Sequence, residues 1–307
     1  MADVVFHLPR SWLGPLGSGL LPFYERLTEG LRDRGVGVAI TALNRERVEQ
    51  QITEEAAAVH VINHGRVQHP RAWNAGIAYV YPFWNMDPAG IRAFSSIGQI
   101  RFRPADIDPE IARPFFRQMR QRLLGKRTSR YEQPAGVAPV PQGAVAVFLQ
   151  SEAHRMVGET CYLDRWEMLR STCAATDGPV VVKPHPRDQQ PETRAMLQDL
   201  QSEFPHLEVF DGNIHDALSA ARKVVTINSA VGIEAYLHRK PVILCGQSDF
   251  HHIADTARST DDLRQLLQAE PKKRAFDKFI WWYFGHHCLS TTEPDLTSRF
   301  MARVGLT

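Results

Sequence analysis

From residue 144 onward one pattern repeats: a short apolar, β-branched run, then an amphipathic stretch long enough for a helix. "AVAVFLQ" (144–150), "PVVVKPHP" (179–186), "LEVF" (207–210), "KVVTINS" (223–229) and "KPVILCG" (240–246) read as strands. "YLDRWEMLRSTCAA", "PETRAMLQDLQSEF", "IHDALSAA" and "AVGIEAYLH" read as the helices between them. Runs this apolar are buried on both faces, and strands joined by helices run parallel, because the crossover returns the chain to the same end of the sheet. The alternation restricts this half to a parallel sheet layered between helices.

The first half repeats the scheme less regularly. "DVVFHL" is followed by a Gly-rich turn, the helical "LLPFYERLTEGLRDRG" ending at Gly35, and further strands at "VGVAIT" (36–41), "AVHVIN" (58–63) and "GIAYVY" (76–81), with "NRERVEQQITEEA" as a helix. A chain of 307 residues is long for one hydrophobic core. The expected fold class is therefore α/β, with two Rossmann-like domains whose parallel sheets face a central crevice. The Pro-, Gly- and Ala-rich "YEQPAGVAPVPQGA" (131–144) serves as the linker. This gives an N-terminal domain over 1–138, a C-terminal domain over 139–285, and a helical tail over 286–307 that packs back on the N-terminal domain.

Hydrophobic residues at 43% and charged residues at 23% are ordinary globular values. A formal charge of +2 is too small to argue for a nucleic-acid surface, so no nucleic acid is expected as a partner. Cys161, Cys173, Cys245 and Cys288 lack C-x-x-C spacing and read as reduced thiols. Neither a signal peptide nor an apolar run of membrane-spanning length is evident, which predicts a cytoplasmic protein. "FDKFIWWYFGHH" (276–287) is amphipathic enough to lie at an interface, with a helix packed at a domain junction as the commoner alternative.

Polar residues gather where the strands of the second half end. Gln150 closes the first. In "VVVKPHPRD" the two prolines hold the chain extended, so Lys183 and His185 project to one side, with Pro186 beyond them. Asn228 and Ser229 stand where a helix begins, so their side chains and the N–H groups around Ala230 suit a phosphate, with Gly232 letting a ligand approach the backbone. Ser229 could equally just cap its helix. Glu234, one turn further in, could accept both hydroxyls of a ribose or be an ordinary helix residue. His215, in "GNIHDAL", sits at the start of a helix facing the crevice.

In the first half Asp87 is the catalytic candidate, with Trp84 beside it as a sugar-stacking surface; "MDPAG" as a simple turn capped by Asp87 is the alternative. In "KRTSRYEQ", Arg130 stands with Lys126, Arg127 and Tyr131 where cations could meet an anionic sugar. No H-E-x-x-H, Walker loop, G-x-S-x-G or G-x-G-x-x-G occurs, which removes zinc peptidases, P-loop enzymes, serine hydrolases and typical dehydrogenases. No metal site is expected.

At "KPHP" together with "INSAVGIEAYLHRKPVILCG" the sequence resembles the capsule polysaccharide biosynthesis family, whose characterised members include Kdo transferases that use CMP-Kdo. "DGNIHDALSAARKVVTINSAVGIEA" and "FDKFIWWYF" extend the likeness over about residues 144–288. The resemblance implies a GT-B glycosyltransferase of bacterial surface polysaccharide synthesis, with a nucleotide-binding C-terminal domain, an acceptor-binding N-terminal domain and no D-x-D metal site. It implies Lys183, His185 and Ser229 at the CMP phosphate and Glu234 at the ribose. The CMP-activated sugar is then a co-substrate, no cofactor is needed, and the acceptor is a glycan or glycolipid. Peripheral contact with the inner membrane or a capsule assembly complex is part of that picture. A teichoic-acid-type glycerophosphotransferase using CDP-glycerol pairs similar motifs and is the enzymatic alternative. A non-catalytic nucleotide- or glycan-binding subunit is the other.

Overall fold

The computed structural model describes residues 2–14, 17–151 and 161–306. The chain forms two compact units, Met1–Ile100 with Tyr283–Thr307, and Arg101–Trp282.

The first unit begins with β1 (Val4–Leu8), whose five residues are all buried, and α1 (Pro22–Arg32). Helix α1 turns Phe23, Tyr24, Leu27, Thr28 and Leu31 inward, the spacing of one helical face. It ends because Gly35, at φ +76°, reverses the chain and lets the Val36 N–H donate to the Leu31 carbonyl at 3.0 Å. There follow β2 (Val38–Ala42), α2 (Val48–Glu54), β3 (Val59–Asn63), β4 (Ala72–Ile77) and β5 (Phe83–Asp87).

The strand expected at 76–81 is displaced. Residues 78–82 are the turn of a β4–β5 hairpin, closed by Ala78 N–H to the Phe83 carbonyl at 2.9 Å and with Tyr79 at φ +62°. Ala78, Tyr79 and Val80 are apolar because the turn is buried, and burial alone mimics a strand's composition.

The second unit opens with α3 (Pro109–Leu123), then β6 (Val145–Phe148), α4 (Arg165–Ala174), β7 (Val180–Lys183), α5 (Pro191–Glu203), β8 (Leu207–Val209), α6 (Ile214–Ala220) and β9 (Lys223–Thr226). It continues through α7 (Val231–Leu237), β10 (Val242–Leu244), β11 (Asp255–Thr256), α8 (Thr260–Gln268) and α9 (Phe276–Ile280). Its sheet is parallel throughout, in the order β11-β10-β9-β6-β7-β8. Val145, Val147, Val180, Val182, Val225 and Ile243 share one core under α4, α5 and α8 with Met168, Leu169, Leu197, Leu200, Leu263 and Leu267.

A π-helical stretch, Trp281–His287, returns the chain to the first unit as β12 (Leu289–Ser290) and α10 (Leu296–Val304). The first sheet then reads β12-β5-β4-β3-β1-β2, with β5 antiparallel to both of its neighbours. Leu289, Leu296, Phe300 and Val304 complete the core of Phe6, Tyr24, Leu27 and Trp84.

The divisions fall at residues 100 and 282 instead of 138 and 285. Helix α3 packs on α7 and α9, which places it with the second unit. The segment at 131–144 is irregular but pinned: Gln133 Oε1 accepts from Ile214 N–H, Asn213 Nδ2 donates to the Pro134 carbonyl, and Ala138 N–H donates to Asp216. Side chains at the start of α6 thus satisfy a backbone that forms no element of its own. The aromatic stretch at 276–284 is interior: Phe276, Phe279, Ile280, Trp282, Tyr283 and Phe284 are all buried, so these side chains present no membrane face.

Candidate functional site

In the second sheet the chain builds outward from β6 through β7 to β8, then crosses to the other side of β6 with β9, β10 and β11. The order reverses between β6 and β9, and ligands in such sheets bind beyond the carboxyl ends of the strands at that reversal. Gln150 follows β6 and Asn228 follows β9, and the two side by side form a closed amide pair. Gln150 Nε2 donates to Asn228 Oδ1 at 2.9 Å, while the Asn228 backbone N–H donates to Gln150 Oε1 at 2.8 Å. Asn228 Nδ2 then reaches the Gln247 carbonyl beyond β10 at 3.0 Å. Three strand ends are thereby tied at the reversal. Gln247 contributes a carbonyl here, which no side-chain pattern reports.

Ser229 and Ala230 follow directly. The cap of α7 is Ala230, not Ser229, whose hydroxyl accepts from the Val231 N–H at a long 3.4 Å. Gly232 does not open the backbone to a ligand: a Cβ there would lie 2.7 Å from the Phe250 ring, so the glycine makes room for that side chain. Glu234 is buried and accepts a hydrogen bond from the Ser129 side chain; burial pushes its carboxyl up to about 7 against that bond.

On the β7 side, Lys183 donates to the carbonyls of Asp211 at 3.1 Å and Gly212 at 2.6 Å, spending two of its three N–H groups on the turn before α6. Burial lowers its pKa, with Asp211 opposing. His185 Nδ1 accepts from the Arg187 N–H at 3.2 Å, and its ring stands edge-on to Tyr131 at 5.0 Å. Arg187 lies 5.0 Å over the same Tyr131 ring, and Pro186 is exposed between them. Tyr131 thus joins the His-Pro turn, which the two segments' separation in sequence concealed.

His215 is buried, and its two ring nitrogens are committed. The Thr128 carbonyl, 3.0 Å from Nε2, can only accept, so Nε2 carries the proton and Nδ1 accepts from His238 Nε2 at 2.9 Å. These bonds tie the start of α6 to Thr128 and to His238 at the end of α7. Arg127 forms a two-pronged ion pair with Asp216 at 2.9 and 3.0 Å, while Arg130 is exposed, 5.9 Å from the Tyr131 ring.

In the first unit the reversal lies between β1 and β3. Strand register aligns His7, Ile62, Asn74 and Asp87 in one row across the sheet, one residue inside the carboxyl ends of β1 and β3. Asp87 ends β5 and is 4% exposed. Its Oδ1 accepts from Ala89 and Gly90 N–H at 2.8 and 3.2 Å; its Oδ2 accepts from Ser95 Oγ, Ser96 N and Ser96 Oγ at 3.1, 3.0 and 2.6 Å. The turn reading of "MDPAG" is realised, and the carboxylate also anchors the next turn. Trp84 corrects the sequence expectation. It is fully buried, stacked on Phe23 at 4.3 Å and edge-on to Tyr24, because alternation along β5 sends it to the core face opposite Asp87. Glu152 and Glu159, acids that follow Gln150 in sequence, lie outside the described residues.

Residues 164–289, which carry α4 to α9 and the turns after β7, β9 and β10, match the family model described as capsule polysaccharide biosynthesis protein. A stretch of 114 residues is 35% identical to protein FixF of Sinorhizobium fredii (strain NBRC 101917 / NGR234), covering 34% of this chain and 27% of that protein. The chain thus spans about a quarter of that relative's length. Among solved structures, the β-Kdo 2,7 transferase of Thermosulfurimonas dismutans KpsC superposes with a TM-score of 0.60 at 15% identity, over 98% of both chains. The β-Kdo 2,4 transferase of the same protein gives 0.53 at 13% identity, over 91% of this chain and 90% of that one. Two Rossmann-like α/β units in one chain are the GT-B architecture that these structures share. Over residues 164–289, the chain is similar to the capsule polysaccharide biosynthesis family.

Proposed function

We propose that the protein is a glycosyltransferase of bacterial surface polysaccharide synthesis that transfers Kdo or a related acidic sugar from a CMP-activated donor to a glycan or glycolipid. The observation that carries this reading is that the family match takes in β9 and Asn228, on one side of the topological reversal in the second unit, where Asn228 pairs with Gln150 from the end of β6. In this reading the nucleotide lies at that reversal. Asn228, Ser229 and the His185–Pro186 turn serve its phosphate, and Lys183 contributes charge through the one N–H that Asp211 and Gly212 leave. Glu234 serves the ribose, exchanging its bond from Ser129 for ribose hydroxyls. No metal or cofactor is required, because the CMP phosphate is already a good leaving group.

Asp87 supplies the carboxylate that acts on the sugar. Five donors orient it, which fixes its position at the cost of making each oxygen less basic. As a nucleophile it forms a bond to the anomeric carbon while the bond to the CMP oxygen breaks, and the acceptor hydroxyl then displaces it with retention. As a base it takes the acceptor's proton and the configuration inverts. Analysis of the product anomer separates the two.

Calorimetric titration with CMP, CDP and UDP, followed by CMP release from CMP-Kdo, tests the proposal. CMP binding at micromolar to millimolar concentration and turnover of CMP-Kdo are the expected results. Release of CMP from CDP-glycerol alone would transfer the assignment to glycerophosphate transfer. Asp87→Asn is expected to reduce transfer by roughly 10³-fold or more with CMP affinity unchanged. Near-normal turnover would remove Asp87 from the chemistry.

A further inference from the structure

Between Glu55 and Asp106 the sequence contains one acid, Asp87, and five arginines, Arg66, Arg71, Arg92, Arg101 and Arg103. Arg92 differs from an ordinary surface arginine in two respects. Its backbone is left-handed, φ +54°, a conformation an L side chain adopts when its surroundings require it. Its Nε and Nη2 atoms are sealed from solvent and have no hydrogen-bond partner among the described residues. Those two atoms lie on the same edge of the guanidinium, the edge that presents two parallel N–H groups.

The rest of the turn is satisfied around that edge. The Arg92 N–H reaches Asn85 Oδ1 at 3.4 Å, and the Arg92 carbonyl accepts from the Ser95 N–H at 2.9 Å. Ser95 and Ser96 in turn donate to Asp87, so Arg92 and Asp87 are positioned by one short stretch of chain. Asp87 is not Arg92's partner: its two oxygens accept instead from Ala89, Gly90, Ser95 and Ser96. A buried cationic fork with no acceptor among the described residues calls for an anion from outside the chain.

Two parallel donors carrying one positive charge match a planar, singly charged carboxylate. A phosphomonoester would bring closer to two negative charges. We propose that the Nε–Nη2 edge of Arg92 receives the carboxylate of an acidic sugar, beside the carboxylate of Asp87. The assignment rests on the proposed transferase function. It makes Arg92 the residue that distinguishes a sugar acid from its neutral counterpart.

The test uses the full chain and the variants Arg92→Gln and Arg92→Lys, checked for folding by thermal unfolding. Kdo, glucuronic acid and their neutral counterparts are titrated by saturation-transfer NMR, and KM is measured for CMP-Kdo and for an acidic acceptor. For Arg92→Gln we expect at least a tenfold loss of affinity for the acids, no change for neutral sugars, and unchanged CMP binding. Arg92→Lys, which keeps the charge without the fork, should fall between. A raised KM for CMP-Kdo places the carboxylate on the donor; a raised KM for the acceptor places it there. If the wild type turns over CMP-Kdo and Arg92→Gln does so with unchanged KM for both substrates, the assignment is overturned while the transferase reading stands. If the wild type does not turn over CMP-Kdo, that reading fails, and a wild-type preference for acids lost in Arg92→Gln still supports the fork. Equal binding of acid and neutral sugars by the wild type, or displacement of the acids by inorganic phosphate at equal concentration, overturns it.

Discussion

Glu234 is a carboxyl group held where a carboxylate is costly. Burial raises it from 4.5 to about 7, so at low pH it is neutral in both the folded and unfolded chain and carries no penalty. As pH climbs above 4.5 the unfolded chain releases the proton first, and stability declines until the folded group also ionises near 7. The shift corresponds to about 3 kcal/mol. Glu234→Gln should therefore leave urea stability unchanged at pH 4 and raise it by roughly that amount at pH 8. An equal effect at the two pH values would contradict the burial argument. Because a ribose needs an acceptor, the same substitution is expected to weaken CMP binding.

At the scale of elements, the 127–138 segment shows how irregular chain is held. Asp216, at the first turn of α6, takes Arg127 and the Ala138 N–H together, and Asn213 and Gln133 add three further bonds between the segment and the helix start. Burial alone would raise the Asp216 pKa, but Arg127 and Ala138 hold it below its ordinary value, so its contribution is present above about pH 4 and disappears in acid. Asp216→Ala should accelerate hydrogen exchange across 131–138 by tenfold or more, equivalent to roughly 1 to 3 kcal/mol of local stability, with the sheet amides unaffected. Uniform acceleration throughout the second unit would show that the segment is not an independent tether. Composition gave no access to this. Pro, Gly and Ala in 131–144 exclude regular elements, and whether such chain hangs free or is fastened depends on side chains some 80 residues away. Strand ends were easier, because a β-branched run that stops at a polar residue marks its own edge, as at Phe148–Gln150 and Thr226–Asn228. Trp84 and Arg92 were harder. A buried aromatic and a sugar-stacking aromatic look alike in sequence, and a left-handed arginine has no signature at all.

For the whole molecule, two α/β units were legible from the alternation of strands and helices, and their borders were not. The first unit draws its last strand and helix from the far end of the chain, and long-range pairing leaves no local pattern. Removing residues 283–307 would strip β12 from β5 and take Leu296, Phe300 and Val304 out of a core built on Trp84 and Tyr24. Each large apolar residue lost from such a core costs about 2 to 5 kcal/mol, enough together to exceed the stability of an ordinary domain. The truncated protein should lose the near-ultraviolet signal of the Phe23–Tyr24–Trp84 cluster while keeping CMP binding by the second unit. Retention of both would show that the first unit folds without its C-terminal strand.

The same connectivity sets a timetable during synthesis. Every residue of Arg101–Trp282 is translated before the segment that finishes the first unit. The second unit can close as it leaves the ribosome, while the first waits with the edge of β5 uncovered. An uncovered edge pairs readily with another nascent chain, so slow elongation across residues 101–282 is the interval in which this protein is most exposed to aggregation, and β12 is the strand that ends it.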